Sequence, residues 1–332
     1  MARPAGPRLK RRREFPATLE RLTVLAPLLR PLAELLTDEP GGEAVVIPTG
    51  LLGLVPLHAV PLDTDTDTDT DTDTDPGADR VIDDIGTLIV APSAAVHAAS
   101  RARAARPPQA VPRLVAVTDP DGSLPGSRSE LAEIVDLFGP CGEVSHAVGD
   151  EATVGWVLDH LADASYLHLS CHGSAVSDGP GGSLALADGR LDMDTLVRHQ
   201  LPLCRLTVAS ACQSGHYGII ETPDEFLGLP AAFLQAGAAC AVTSLWQVDD
   251  MATAFLMTRF YELLAEGHGP APALARSRGW LRRLTGEELA HYARSHRHLG
   301  ELSERYGAHA MPPTERPFAS PVHWGAFTAW GV

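Results

Sequence analysis

Tyr166-Leu167-His168-Leu169-Ser170-Cys171-His172-Gly173 and, forty positions on, Leu206-Thr207-Val208-Ala209-Ser210-Ala211-Cys212-Gln213-Ser214-Gly215 decide how this chain is read. Each is an apolar, strand-like run that ends in a polar segment. If the two strands are parallel neighbours, both polar segments leave the carboxyl edge of one sheet, where α/β proteins place their ligands. A histidine and a cysteine then stand together as base and nucleophile.

The surrounding sequence supports that sheet. Strand signals at 44–47, 87–90, 114–117, 206–209 and 241–244 alternate with helical stretches, which predicts a mainly parallel α/β sheet covered by helices on both faces. Ser127-Arg128-Ser129-Glu130 has capping-box spacing before Leu131, Ile134 and Val135, which predicts a helix starting there. Thr153 is expected to cap a helix to Leu161, and Asp250 to Glu266 reads as a strong helix. Leu19 to Leu36 reads as a short helix interrupted by Pro27 and Pro31. The stretch 285–316, rich in His, Arg and Glu, carries no clear pattern, its histidines read as a solvated face, and His323 to Trp330 reads as a last strand.

Composition narrows the function. The 332 residues hold 26 Lys and Arg against 42 Asp and Glu, a net charge of −16. Seven of the acids alternate with threonine from Asp63 to Asp75, and without them the balance is −9. Such a surface disfavours nucleic acid, which needs clustered Lys and Arg. The Arg-rich start, residues 1–15, reads as a disordered basic tail. The Thr-Asp stretch, 62–79, reads as a solvated insertion in a domain running from 16 to 332. Five cysteines (Cys141, Cys171, Cys204, Cys212, Cys240) include no CxxC pair, and no signal peptide or membrane-spanning run is found. A cytoplasmic, reducing location is expected, with no membrane partner.

For thiol attack on a peptide carbonyl, Cys212 is the candidate nucleophile and His172 the base and acid. The amides of Gly173 and Cys212 are the candidate oxyanion donors. The bland alternatives are a buried thiol at a strand end and a hydrogen-bonded loop histidine. His168 reads as a packed core histidine, and Cys171 points to the opposite face of the strand. A zinc site from His168, Cys171, His172 and Cys212 is disfavoured for that reason, so neither metal nor cofactor is expected.

Taken in order, several stretches carry a resemblance. They are Leu124-Pro125-Gly126 with Glu130; Glu151-Ala152-Thr153; Leu167 to Gly173; Ser210 to Gly215; Gly228 to Ala238; Ser244-Leu245-Trp246-Gln247-Val248-Asp249-Asp250; Thr258-Arg259-Phe260-Tyr261; and Pro321 to Phe327. Together they resemble the CHAT family, a bacterial branch of the caspase-like, separase-related cysteine peptidases. The resemblance implies a caspase-like three-layer sandwich and a cysteine endopeptidase with His172 and Cys212 as its dyad. It also implies a protein or peptide substrate and a protein regulator. The alternative is a CHAT-type scaffold with little peptidase activity. No acidic third member is assignable from the sequence. Trp246 to Asp250 is similar to the separase stretch lining the P1 pocket, so Asp250, with Asp249 as alternate and Trp246 beside them, is expected to select Arg or Lys. Either aspartate also suits a helix cap.

Overall fold

The computed structural model describes residues 19, 21–38, 41–62, 80–174, 182–210, 228–307 and 311–332. The expected basic tail, the Thr-Asp stretch and Cys212 lie outside the described residues. The strands are β1 (Glu43–Val46), β2 (Thr87–Val90), β3 (Arg113–Thr118), β4 (Glu143–Val148), β5 (Tyr166–Ser170), β6 (Gly173–Ser174), β7 (Ser183–Leu186), β8 (Gly189–Asp192), β9 (Leu206–Ala209), β10 (Cys240–Ser244) and β11 (Phe327–Trp330). The helices are α1 (Ala26–Asp38), α2 (Ala94–Ala104), α3 (Pro125–Phe138), α4 (Val154–His160), α5 (Met193–Arg198), α6 (Leu229–Ala236), α7 (Asp250–Ala265), α8 (Pro270–Arg283), α9 (Gly286–Ser295), α10 (Arg297–Arg305) and α11 (Pro321–Trp324).

Among the described residues eight strands form one sheet, in the order β1-β2-β11-β10-β9-β5-β3-β4. Every pairing in it is parallel except β10 with β11. Leu114, Ala116, Leu206, Val208 and Val242 face the layer of α3, α7 and α8. Val115, Val117, Leu167, Leu169 and Ala241 face the layer of α6. The period-two alternation of each strand thus buries both faces, as a mainly parallel sheet requires. Beside the large sheet, β6, β7 and β8 form a small antiparallel one. The expected α/β sandwich is the fold observed.

The β5–β9 pairing is parallel and central to the sheet. Its register matches Leu167 with Thr207, His168 with Val208 and Leu169 with Ala209. In sequence, His172 and Cys212 each come three positions after the last of these pairs. The two ends of the Thr-Asp stretch also meet, because the Leu62 amide donates to the Arg80 carbonyl at 2.7 Å.

Some local expectations are corrected. Pro125 sits in the first turn of α3 and starts that helix before Ser127. Ser127 therefore lies inside the helix, its hydroxyl donating to the Leu124 carbonyl, and no capping box forms. Pro31 lies within α1 rather than ending it, since Leu29 and Leu36 are buried and hold the helix against the domain. The unpatterned 285–316 stretch holds α9 and α10, the first opened by a Thr285/Glu288 capping box. The last strand is shorter than expected, with the short α11 before it. Nor is the histidine-rich stretch wholly solvated: His296 Nε2 lies 2.9 Å from Glu262 Oε1.

Glu130 turns instead into the core. Its Oε1 lies 2.9 Å from His168 Nε2, both side chains essentially unexposed, while His168 Nδ1 meets the Tyr261 hydroxyl at 3.1 Å. With the His168 Nε2 proton directed at Glu130, Nδ1 is left to accept from Tyr261. Burial pushes the Glu130 carboxyl up, and His168 pulls it back. This network ties β5 to α3 and α7. A second buried pair, Arg278 with Asp83 at 2.6 and 2.8 Å, also donates to the Phe327 carbonyl and fastens β11 to α8.

Removing one partner of a buried pair strands the other, which costs about 3 kcal/mol or more. His168→Ala is therefore expected to lower the urea-unfolding free energy by about 3 kcal/mol, and His172→Ala, on the sheet edge, by less than about 1 kcal/mol. Equal costs would contradict this assignment of roles. His296 gives a pH test. Its hydrogen bond to Glu262 raises its pKa above the ordinary value. At Glu262 burial acts upward, but hydrogen bonds from His296, Arg259 and Tyr292 prevail and hold it low. A raised histidine stabilises fully below its unfolded pKa and loses that contribution as pH rises through the folded value. The stability gap between wild type and His296→Gln is expected to shrink between about pH 5.5 and about pH 8.5; a constant gap would refute it.

Candidate active site

Three strand ends converge on His172. Its side chain is 37% exposed, one residue beyond the buried Cys171, which packs with Leu167 and Leu169 on the opposite face as alternation requires. The backbone is pinned on both sides. Ser170 accepts from the Asp119 amide at 2.9 Å, and the His172 carbonyl accepts from the Ala185 amide at 2.8 Å. That second bond puts Gly173, opposite Leu184, in the non-hydrogen-bonded position of the β6–β7 ladder. The ladder thus leaves the Gly173 amide pointing away from β7.

The third element is the loop after β3, Asp119-Pro120-Asp121-Gly122-Ser123, which the sequence reading passed over. Ser123 Oγ lies 2.7 Å from His172 Nε2, and Asp121 Oδ2 lies 3.6 Å from the same nitrogen. The Ser123 hydroxyl and amide reach Asp121 Oδ1 at 2.7 and 3.1 Å. The hydrogen bond from Ser123 is the main reason the Asp121 carboxyl is held below its usual range, and His172 lowers it further. Asp119 organises the loop from below. It is buried, adopts φ +50°, accepts from the Leu124 amide at 2.7 Å and pairs with Arg128. A left-handed non-glycine residue is strained, so these bonds must hold it there. The signal available in the sequence was a turn-forming stretch closing another strand of the same sheet.

The expected P1 residues lie at the same edge. Asp249 caps α7, its side chain accepting from the Ala252 amide at 3.0 Å. Asp250 Oδ2 instead accepts from the Gly126 amide at 2.6 Å and from the Tyr306 hydroxyl at 3.4 Å. Partial burial raises the Asp250 pKa, and the Gly126 amide offsets part of that rise. Gly126 is required here because a Cβ would come within 2.6 Å of the Asp250 carboxyl carbon. The loop after β3 and the first turn of α3 that follows it touch both places: Ser123 meets His172, and Gly126 meets Asp250. Trp246 is buried and donates its indole N–H to the Val322 carbonyl at 3.0 Å, bracing the end of β10 against α11. No helix among the described residues is long and apolar enough to cross a membrane.

The CHAT domain family matches residues 17–332. No curated protein matches the chain. Among solved structures, the chain is similar to Saccharomyces cerevisiae separase in its complex with securin. There the identity is 13% and the TM-score 0.47, over 76% of this chain and 14% of that one. It is also similar to the Arg-specific cysteine proteinase gingipain R, at 10% identity and TM-score 0.47, over 74% of this chain and 54% of that one. In the complex of Porphyromonas gingivalis gingipain pro- and mature domains the values are 11%, 0.46, 74% and 55%. The chain thus spans about a seventh of the separase and about half of the gingipain. A match over residues 17–332, nearly its whole length, means that this chain belongs to the CHAT family.

Proposed function

We propose that this protein is a cysteine endopeptidase in which Cys212 is the nucleophile and His172 its base and acid. The observation that supports the reading is the parallel β5–β9 register, since His172 and Cys212 follow its last paired residues, Leu169 and Ala209, at the same offset in sequence. His172 would take the thiol proton as Cys212 attacks the scissile carbonyl. It would return that proton to the leaving amine, leaving a thioester that water hydrolyses. The Gly173 amide, turned away from the β7 ladder, supports its role as an oxyanion donor with the Cys212 amide.

For specificity we favour Asp250 over Asp249. The Asp249 carboxylate is engaged in capping α7, whereas Asp250 is half-buried beside the loop that reaches His172. A carboxylate in such a place suits a bidentate arginine or a lysine at P1, with Trp246 supporting the wall behind it. The enzyme would work in the cytoplasm under control of a partner or a cleavage event, because a free endopeptidase there would damage the cell.

Fluorogenic peptides varied at P1 test this. The expected outcome is cleavage after Arg or Lys, with kcat/KM reduced on the order of 10³-fold in Cys212→Ala and in His172→Ala. Asp250→Asn is expected to remove the basic preference while leaving residual cleavage. Equal cleavage after Asp or Leu in the wild type would sink the specificity. Silence in lysate containing natural partners, with Cys212 unlabelled by an arginyl acyloxymethyl ketone, would favour a scaffold.

A further inference from the structure

We infer that Ser123 and Asp121 are positioning residues that fix the proton of His172 on Nε2 and leave Nδ1 as its basic nitrogen. This deepens the peptidase reading and rests on it for its purpose, although the geometry concerns only Asp121, Ser123 and His172.

The inference comes from counting protons along the hydrogen bonds. A serine hydroxyl has one proton to donate and lone pairs to accept with. Ser123 Oγ lies 2.7 Å from Asp121 Oδ1 and also 2.7 Å from His172 Nε2. An ionised carboxylate is the stronger acceptor, and Asp121 is held ionised by its hydrogen bonds from Ser123. The hydroxyl proton therefore goes to Asp121, and Ser123 meets His172 with a lone pair. Nε2 must then supply a proton, and a neutral imidazole with Nε2–H has its lone pair on Nδ1. The chain runs His172 Nε2–H to Ser123 Oγ, then Ser123 Oγ–H to Asp121 Oδ1. The Ser123 amide, also donating to Asp121 Oδ1 at 3.1 Å, holds the carboxylate in place.

The geometry also explains the strained loop. Asp119 at φ +50°, bonded to Leu124 and paired with Arg128, turns the chain so that Ser123 returns over β5. Once Nδ1 accepts a proton, the imidazolium carries a positive charge, and the Asp121 carboxylate 3.6 Å from Nε2 stabilises it. Asp121 is itself more than half exposed, so its effect is one of orientation first and charge second.

The test uses the full chain with ¹⁵N-labelled histidine and reads the two ring-nitrogen shifts of His172 by NMR. The spectra are recorded over a pH series and compared on the high-pH plateau where the shifts no longer change. Loss of one set of signals in His172→Gln assigns the residue, and the same spectrum is taken on Cys212→Ala. The expected result is a protonated Nε2 and an unprotonated Nδ1 in both wild type and Cys212→Ala. In Ser123→Ala both shifts are expected to move toward the average of two exchanging tautomers, in Asp121→Asn to move partway, and in Ser123→Thr, which keeps the hydroxyl, to stay at wild-type values. A proton on Nδ1 in the wild type, or identical spectra in Ser123→Ala and wild type, would overturn the inference. If peptidase activity is present, Asp121→Asn is expected to lower kcat on the order of tenfold with little change in KM. The fixed tautomer without any Cys212-dependent turnover would instead overturn the peptidase reading and leave this one standing.

Discussion

The hydrogen-bond register between β5 and β9 is the constraint on which the rest depends. Parallel neighbours run in the same direction, so β5 and β9 end at the same edge of the sheet. A slip of one residue would reverse which face each side chain meets. His168 would leave its buried partners and Leu169 would lose its place among the aliphatic side chains of the opposite layer. The register is thus specified by core packing several residues before the site, and the site inherits it.

Two kinds of polar group hold His172 in place. Beneath it, His168, Glu130 and Tyr261 form a buried polar cluster that binds β5 to α3 and α7. Such a network rigidifies when fully satisfied and is costly when broken. Above it, Asp121 and Ser123 form an exposed network of modest energy whose value is directional. Stability and orientation are therefore carried by different residues, which allows the exposed pair to be changed without unfolding the domain. Gly126, in the first turn of α3 just after that loop, donates to Asp250 at the start of α7, so the histidine and the proposed substrate acid are both contacted by the segment 121–126.

The sheet was legible in the sequence because its signals are local: apolar runs of strand length, Thr153 as a cap, and the two runs Tyr166–Ser170 and Leu206–Ala209 that became β5 and β9. The features that escaped depend on which strands are neighbours. Asp121 and Ser123 look like any turn until β3 is known to lie beside β5. Glu130 misled for the opposite reason, since its spacing from Ser127 imitates a capping box while Pro125 starts the helix earlier and frees the carboxylate for His168. The 285–316 stretch hid its helices because the apolar stripe, Leu289 and Ala293 in α9 and Leu299 and Leu302 in α10, is narrow and sits among many charged residues and histidines. The aspartates at 249 and 250 were separable only by structure, one capping a helix and the other bonded to the first turn of the distant α3.

The central claim is that His172 and Cys212 act as a pair. Its most direct measurement is the pH dependence of Cys212 alkylation by iodoacetamide, followed by peptide mass in wild type and His172→Gln. A thiol paired with an imidazole forms thiolate well below the ordinary thiol value of about 8.5. The account predicts alkylation of Cys212 in the wild type at a pH where His172→Gln reacts slowly, the profile of the variant shifting up toward that of a free thiol. Superimposable profiles for the two proteins would contradict it.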